Sequence, residues 1–307
     1  MAMRTTIFKN THGVTTAGFI YHVSSLLAQG GHTVLMVDAD PQCNLTNLAL
    51  QSYGESGIKE FYNREPTRNI YEGLSQIFKQ CSSQISPIKC LPITRREDLF
   101  LLPGNVRIIE YEEHMKQCLD LQEKAHSAFT RAWALSNLID MTAGDHNADL
   151  VLVDVGANTS MFKRDILMTS DYFMIMASPG LSGIAIDMIP SIFARWHSWY
   201  EESEVMTAAQ SAEHLCIARL PKYLGMIIQE ICPQNRIHEM SMQKGNEVIS
   251  QKVKSHLIPT LTNLDMIIPY TGDEDTEGLY SILFADQLPE ISKRISKMNR
   301  NGDALRG

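Results

Sequence analysis

The sequence predicts an α/β fold, a doubly wound and mostly parallel sheet flanked by helices, on three observations. Apolar Val34-Leu35-Met36-Val37 is followed by carboxylates at alternate positions, Asp38 and Asp40, and then by Pro41, which cannot join a strand ladder. Upstream, Ile7-Phe8 reads as a short strand and residues 9–16 as a polar turn. Phe19, Ile20, Val23, Leu26 and Leu27 then mark an amphipathic helix ended by Gly30-Gly31, which completes a βαβ unit. Downstream, Leu150-Val151-Leu152-Val153 also runs into an aspartate, Asp154. Ligands of an open parallel sheet sit beyond the carboxyl ends of its strands, so Asp38, Asp40 and Asp154 are candidate site residues. Turns and helix caps use the same residue type without any chemistry.

Val37-Asp38-Ala39-Asp40-Pro41-Gln42-Cys43-Asn44-Leu45-Thr46 resembles, almost letter for letter, the second motif of the ParA/MinD family. These are deviant-Walker P-loop ATPases of plasmid and chromosome partition and of division-site placement. The resemblance extends to Leu152-Val153-Asp154-Val155-Gly156-Ala157-Asn158 and Ser170-Asp171-Tyr172, and covers about two-thirds of the chain with its start included. It implies ATP and Mg2+ as ligands, Asp38 and Asp154 serving the metal, and Asp40 orienting the attacking water. It also implies a phosphate cradle over Thr11, His12, Gly13, Val14, Thr15, Thr16 and Ala17, with Gln229 beside the adenine base. Gly156 to Ser160 would be the nucleotide-sensing loop, and Ala157, where the family has proline, implies a looser one.

The phosphate turn departs from the family pattern Lys-Gly-Gly-x-Gly-Lys-Thr-Thr. Aligned without gaps, Thr11 replaces the signature lysine that crosses the dimer, Thr16 the lysine that grips the β/γ-phosphates, and Ala17 the magnesium-binding hydroxyl. One lost charge-assisted hydrogen bond costs binding about 1.5–3 kcal/mol, and helix-terminal amides still cradle an anion. Catalysis suffers more, because a cation on the transferring phosphoryl group is worth roughly 10³–10⁵ in rate, or about 4–7 kcal/mol. Lys9 lies on the wrong side of the turn to replace both lysines. The sequence therefore predicts weak or lost hydrolysis.

With 307 residues the chain can bury a large core, and 44% hydrophobic with 20% charged residues is ordinary globular usage. No apolar run reaches membrane-spanning length and no signal-peptide pattern opens the chain, so a cytoplasmic protein is expected. The net charge of −8 argues against coating nucleic acid with the whole surface but leaves room for a local basic patch. Six cysteines without a C-x-x-C pair predict buried reduced thiols rather than a metal site or disulfide framework. Among ten scattered histidines only His12, in the phosphate turn, is a candidate partial cation.

The remaining elements follow in order, and all 307 residues are expected in one domain. Residues 47–97 read as a loop-rich excursion, holding one helix from Asn69 to Phe78 and one further short helix. Leu99 to Leu102 is a strand stopped by Pro103-Gly104. Glu110, Glu112 and Glu113 open a helix as solvated acids. Ala125, Ala128, Phe129, Ala132, Leu135 and Ile139 form a helical stripe ended by Gly144. Arg164 is read as a surface ion-pair partner or a phosphate contact. Tyr172 to Ala177 is a strand, and Ile189, Ile192, Phe193, Trp196 and Tyr200 make one helix face belonging to the core or a dimer contact. Leu224 to Ile228 is a strand, a helix lies near 246–257, and Met266-Ile267-Ile268-Pro269 completes the sheet. Thr271 to Glu277 is an exposed acidic loop.

A basic helix near 288–300 carries Lys293, Arg294, Lys297 and Arg300, with Arg306 beyond it and Ile291, Ile295 and Met298 on the opposite side. Cations there oppose the helix dipole; by resemblance they would hold DNA non-specifically, while a membrane role is the least expected.

Two functions follow. One is a nucleotide-switch protein, dimeric by resemblance, that partitions or positions DNA or another cargo with an adaptor protein. The other is a pseudo-ATPase scaffold acting through protein contacts. A nicotinamide dehydrogenase would need Gly-x-Gly-x-x-Gly after the first strand, and that loop lacks it.

Overall fold

Strands covered on both faces read as unbroken apolar runs, and the runs at Val34–Val37 and Leu150–Val153 do lie side by side in the sheet. The structure, a computed structural model, describes residues 2–9, 15–53, 57–80, 85–93, 98–111, 113–114, 124–157, 160–178, 182–209, 220–229, 236–268, 282–284 and 287–305. Its strands are β1 (Met3–Lys9), β2 (Val34–Asp38), β3 (Leu91–Pro92), β4 (Leu99–Leu102), β5 (Leu150–Asp154), β6 (Tyr172–Ala177), β7 (Lys222–Ile228) and β8 (Ile282–Phe284). They pair in the order β3-β4-β2-β5-β1-β6-β7-β8. Every pairing is parallel except that of β3 with β4. β1 lies between β5 and β6, so the winding reverses there and opens a crevice at the carboxyl ends.

Alternate side chains serve opposite faces. Ile7, Met36, Leu101 and Leu152 face α1 (Thr16–Gln29), α2 (Asn44–Tyr53), α3 (Ile58–Arg64) and the C-terminal helix α10 (Leu288–Leu305). Leu35, Val37, Leu102 and Val153 face α4 (Ile70–Gln80), α5 (Lys124–Asp145) and α6 (Met161–Met168). Phe8, Phe173, Tyr223 and Met226 meet α7 (Ser182–Ala209), α8 (Arg236–Lys252) and α9 (Ile258–Asn263). The aromatic positions of α7 are core: Phe193 stacks on Phe173 at 4.9 Å and meets Phe8 and Trp196 edge-on.

Three expectations change. The loop-rich excursion holds α2, α3 and α4, and Thr46 lies inside α2. Its first two helices bury only short patches, Leu45, Ala49 and Leu50 on one and Phe61 on the other, too few for a visible period. Met266 to Ile268 does not extend the sheet. Asp265 takes φ 51°, the chain turns, and the Met266 carbonyl accepts a single bond from the Tyr223 amide at 2.8 Å. The edge strand is β8 instead. The helix near 246–257 begins earlier, at Arg236, and relaxes into a π-turn over Val253–Leu257.

Cys43 and Cys90 are buried free thiols, and the other four cysteines fall outside the described residues. Glu110 is ion-paired to Arg107 at 2.9 Å and Glu113 is exposed, whereas Glu112 and residues 271–277 fall outside the described residues. Among the described residues no helix is long and apolar enough to cross a membrane.

The α4–α5 contact yields a graded prediction. A Cβ on Gly73 would come 2.6 Å from Leu138 Cδ2 and 3.1 Å from Ile88 Cγ1, side-chain ends that can turn aside. Overpacking costs about 1–3 kcal/mol, and Ala in a helix returns about 1 kcal/mol relative to Gly. Gly73→Ala should therefore cost about 1 kcal/mol, read as a lower urea midpoint at unchanged slope.

Candidate functional site

Parallel pairing puts equivalent strand ends level, and Asp38 and Asp154 are register partners at the tips of β2 and β5, with Cα atoms about 4.8 Å apart. Both side chains are fully buried. Asp38 Oδ2 accepts the Thr46 amide at 2.7 Å and the Thr46 hydroxyl at 2.6 Å, and its Oδ1 accepts the Asp40 amide at 3.2 Å. Burial, and then the facing Asp154 charge, push its carboxyl up to about 7 against those bonds. Asp154 Oδ1 accepts the Thr16 hydroxyl at 2.7 Å and the Gly156 amide at 3.1 Å. Its Oδ2 is buried and, among the described residues, accepts no hydrogen bond. Burial raises this carboxyl as well, while the Thr16 bond and the Lys9 charge pull it back.

Asp40, also buried, turns its Oδ1 onto the Gln42 amide at 3.0 Å, a local turn bond that aims the carboxylate across the crevice. There it meets Gly156: a Cβ built on that glycine would fall 2.7 Å from Asp40 Cγ. Gly104, after the Pro103 stop of β4, approaches Asp38 as closely; its Cβ would lie 2.9 Å from the Asp38 carbonyl oxygen. The Gly104 amide donates to the Thr46 hydroxyl at 2.8 Å, and the Tyr62 hydroxyl from α3 donates to the Gly104 carbonyl. The three acids thus converge as their strand positions predict. Thr46, Gly104 and Tyr62 support them, and the Tyr62 contact comes from the excursion where the sequence suggested none.

Of the predicted phosphate cradle, Thr11, His12, Gly13 and Val14 lie outside the described residues. Thr15 is exposed, and its amide donates to Gln229 Oε1 at 2.7 Å across the turn from the end of β7. Gln229 therefore stands at the mouth of the turn, with its side-chain oxygen on a cradle amide. Alignment without gaps put Ala17 where the family has its magnesium-binding hydroxyl. Ala17 is buried in the apolar cluster with Phe19 and Ile20, and the hydroxyl on the β5 carboxylate is that of Thr16. A helix start turns neighbouring residues about 100° apart, so only one of the pair can face the strand tip. Arg164 meets no strand-tip carboxylate: it pairs with buried Asp165 at 2.7 Å and lies over Trp199 at 3.9 Å.

Sequence reasoning missed a cation. Lys163, in the first turn of α6, is fully buried. Its Nζ donates to the Gly156 carbonyl at 2.7 Å and the Lys9 carbonyl at 3.1 Å, over the Phe8 ring at 5.0 Å. Burial brings this amine down to about 7, opposed by Asp154 and Asp40 and assisted by Lys9. Lys9 itself is buried at the end of β1. A lysine three residues after a Ser160 N-cap reads as a surface residue, and only the docking of α6 over β1 turns it inward.

The donors at the strand tips are carboxylate and hydroxyl oxygens, the ligand set of a hard cation such as Mg2+. Asp154 Oδ2, buried without a proton donor, is the atom such an ion would satisfy. Among the described residues no group of three or more His, Cys, Asp or Glu could hold a metal by itself.

Comparison with known proteins bears on the family and the fold. The AAA_31 family model, described as an AAA domain, matches residues 3–193. A putative replication protein A of Rhizobium rhizogenes is 24% identical over 172 residues, 56% of this chain and 38% of that protein. An uncharacterized protein of Methanocaldococcus jannaschii is 25% identical over 173 residues, 56% of this chain and 58% of its own length. The chain thus matches well under two thirds of either curated relative. Among solved structures, a Corynebacterium diphtheriae protein superposes with TM-score 0.65 at 18% identity, over 96% of this chain and 98% of that one. The pNOB8 ParA bound to nonspecific DNA gives 0.56 at 15%, over 98% and 99%. Cobyrinic acid a,c-diamide synthase of Mycobacterium smegmatis, with an ATP analog and magnesium bound, gives 0.57 at 15%, over 98% and 97%. At these identities the structures speak to fold alone.

Proposed function

Since the chain belongs to the AAA_31 family and has the ParA-like P-loop fold, we propose that it is a nucleotide-switch protein for partition or positioning of DNA or another cargo. In this reading it binds ATP with Mg2+ and hydrolyses it slowly or not at all. Asp154 carries the argument: a buried carboxylate with one oxygen on the Thr16 hydroxyl and the other without a donor. Asp38, Asp154 and Thr16 would hold the magnesium, whose charge would offset both acids and polarise the phosphates. Asp40 would orient the attacking water, and the amides at the start of α1 would take phosphate. Neither Thr15 nor Thr16 supplies a lysine for the transferring group.

A second reading, a scaffold without turnover, is favoured by the Gln229 side chain, which occupies an amide the cradle needs. Titration with labelled ATP and Mg2+ alongside phosphate release separates the two. Binding with turnover far below that of a lysine-bearing relative supports the switch. No binding at millimolar nucleotide leaves the scaffold, and rapid turnover overturns the inferred loss of catalysis.

The family and fold also support a homodimer, an adaptor partner and non-specific DNA contact. Ile291, Ile295 and Met298 of α10 are buried in the cluster beneath α1, so a membrane would have to unseat that helix to reach them. Arg294 is turned inward onto the Leu224 carbonyl at 3.0 Å, while Lys293 and Lys297 are exposed. Arg306 and the Arg300 side chain fall outside the described residues. Lys293→Glu with Lys297→Glu should weaken binding to any duplex sequence alike and reduce the slope of log affinity against log salt by about 2. Fluorescence anisotropy across a salt series reads both.

A further inference from the structure

We propose that Lys163 is a positioning residue of this site, its ammonium pinning the loop after β5 to the end of β1 so that Gly156 is presented to both Asp154 and Asp40. The inference rests on the nucleotide-site reading above and adds to it a working part from α6.

The geometry is specific. Nζ reaches two carbonyls that belong to different segments, Gly156 at 2.7 Å and Lys9 at 3.1 Å, one entering the sensing loop and the other entering the phosphate turn. An ammonium has three protons, and these bonds commit two of them. On the other side of the same Cα the Gly156 amide donates to Asp154 Oδ1 at 3.1 Å, so the lysine and the acid hold this residue from both of its peptide units. The same residue holds φ +69° with its Cα side against the Asp40 carboxylate. One cation therefore fixes a residue in contact with two of the three acids. Full burial of a lysine is costly unless its polar head is bonded, and here two carbonyls and the Phe8 face meet it. A lysine serving only to fill space in α6 would need none of these partners, and its apolar neighbours would accept leucine or methionine.

The test uses the full chain and two readouts. Lys163→Met keeps the length and removes both bonds. Lys163→Gln keeps two N–H donors and removes the charge. Amide exchange at Gly156 in nucleotide-free protein should rise at least about tenfold in the methionine variant. The rest of β5 and α6 should keep its protection, and the glutamine variant should stay near the wild type. If the methionine variant is insoluble, Lys163→Ala, which leaves room for water on both carbonyls, is read the same way. Unchanged exchange at Gly156, or an equal rise throughout α6 and β5, overturns the proposal.

The second readout is the gain in ATPγS affinity on adding Mg2+. Loss of an outer-shell partner costs roughly 10–100-fold in metal affinity, so that gain should collapse in Lys163→Met while magnesium-free binding stays put. A gain equal to that of the wild type overturns the proposal. A wild-type protein that shows no magnesium-dependent gain sinks the nucleotide-site reading instead, and the exchange data still decide on Lys163.

Discussion

Asp38→Asn is expected to melt at a higher temperature than the parent at pH 8 and to lose its magnesium-dependent hold on nucleotide. The sign follows from linkage. An acid raised from 3.8 to about 7 on folding binds more protons in the native state, so stability falls as pH rises across that window and the penalty is complete above it. Three pH units at 1.36 kcal/mol each make the penalty about 4 kcal/mol. Asparagine carries no charge to bury. It keeps an oxygen for the Thr46 amide and hydroxyl and gives up the long 3.2 Å bond from the Asp40 amide, worth about 1 kcal/mol. The net gain at pH 8 is about 3 kcal/mol, or roughly 6 °C for a chain of this size. It should shrink as pH falls and reverse to a loss of about 1 kcal/mol well below pH 3.8, where the parent is protonated in both states and only the missing bond separates the two.

Calorimetry without magnesium at the two pH values reads the stability arm. Nucleotide titration with and without Mg2+ reads the other, with a loss on the order of 100-fold. A melting point that rises on neutralising Asp38 would mark it as an acid that costs the fold stability, as a group kept for a ligand does.

Gly156→Ala is expected to act in the opposite direction, costing both stability and function. The φ of +69° is unfavourable for a side chain by about 1–2 kcal/mol. The added Cβ would also fall 2.7 Å from Asp40 Cγ and Oδ1, and that carboxylate is already held by the Gln42 amide. The loop or Asp40 has to move. A loss of about 2–4 kcal/mol follows, seen as a lower urea midpoint. Because Asp40 is the proposed water-orienting group, any phosphate release should fall at least about tenfold with it. If the midpoint drops but release is unchanged, Asp40 has another role.

The strand tips were legible in the sequence because an apolar run ending in an acid, in a βαβ context, places that acid at a strand's carboxyl end. Spacing alone left Asp38, Asp40 and Asp154 open to a turn or cap reading, and the family resemblance singled them out. The order of strands was not legible: β6, β7 and β8 on one flank and β5, β2 and β4 on the other differ in sequence only by where their helices cross. The short helices α2 and α3 were hidden because each buries few residues, and the Met266 run misled because burial beneath α9 has the same composition as an edge strand. Thr16 was assigned by counting along a motif, whereas the direction of a side chain at a helix start depends on where the helix begins. Lys163 had no signal at all. Its meaning lies in the docking of α6 over β1, a long-range contact that local pattern cannot carry.

In the proposed function, oxygens of Asp38, Asp154 and Thr16 seat a divalent ion together with nucleotide although the turn lacks the family's lysines. Electron paramagnetic resonance of Mn2+, used in place of Mg2+, tests it directly. With ATPγS present, one Mn2+ per chain should lose its free-ion signal in the wild-type protein, and Asp154→Asn should release it. Equal uptake by both proteins, or none by the wild type, would contradict the claim.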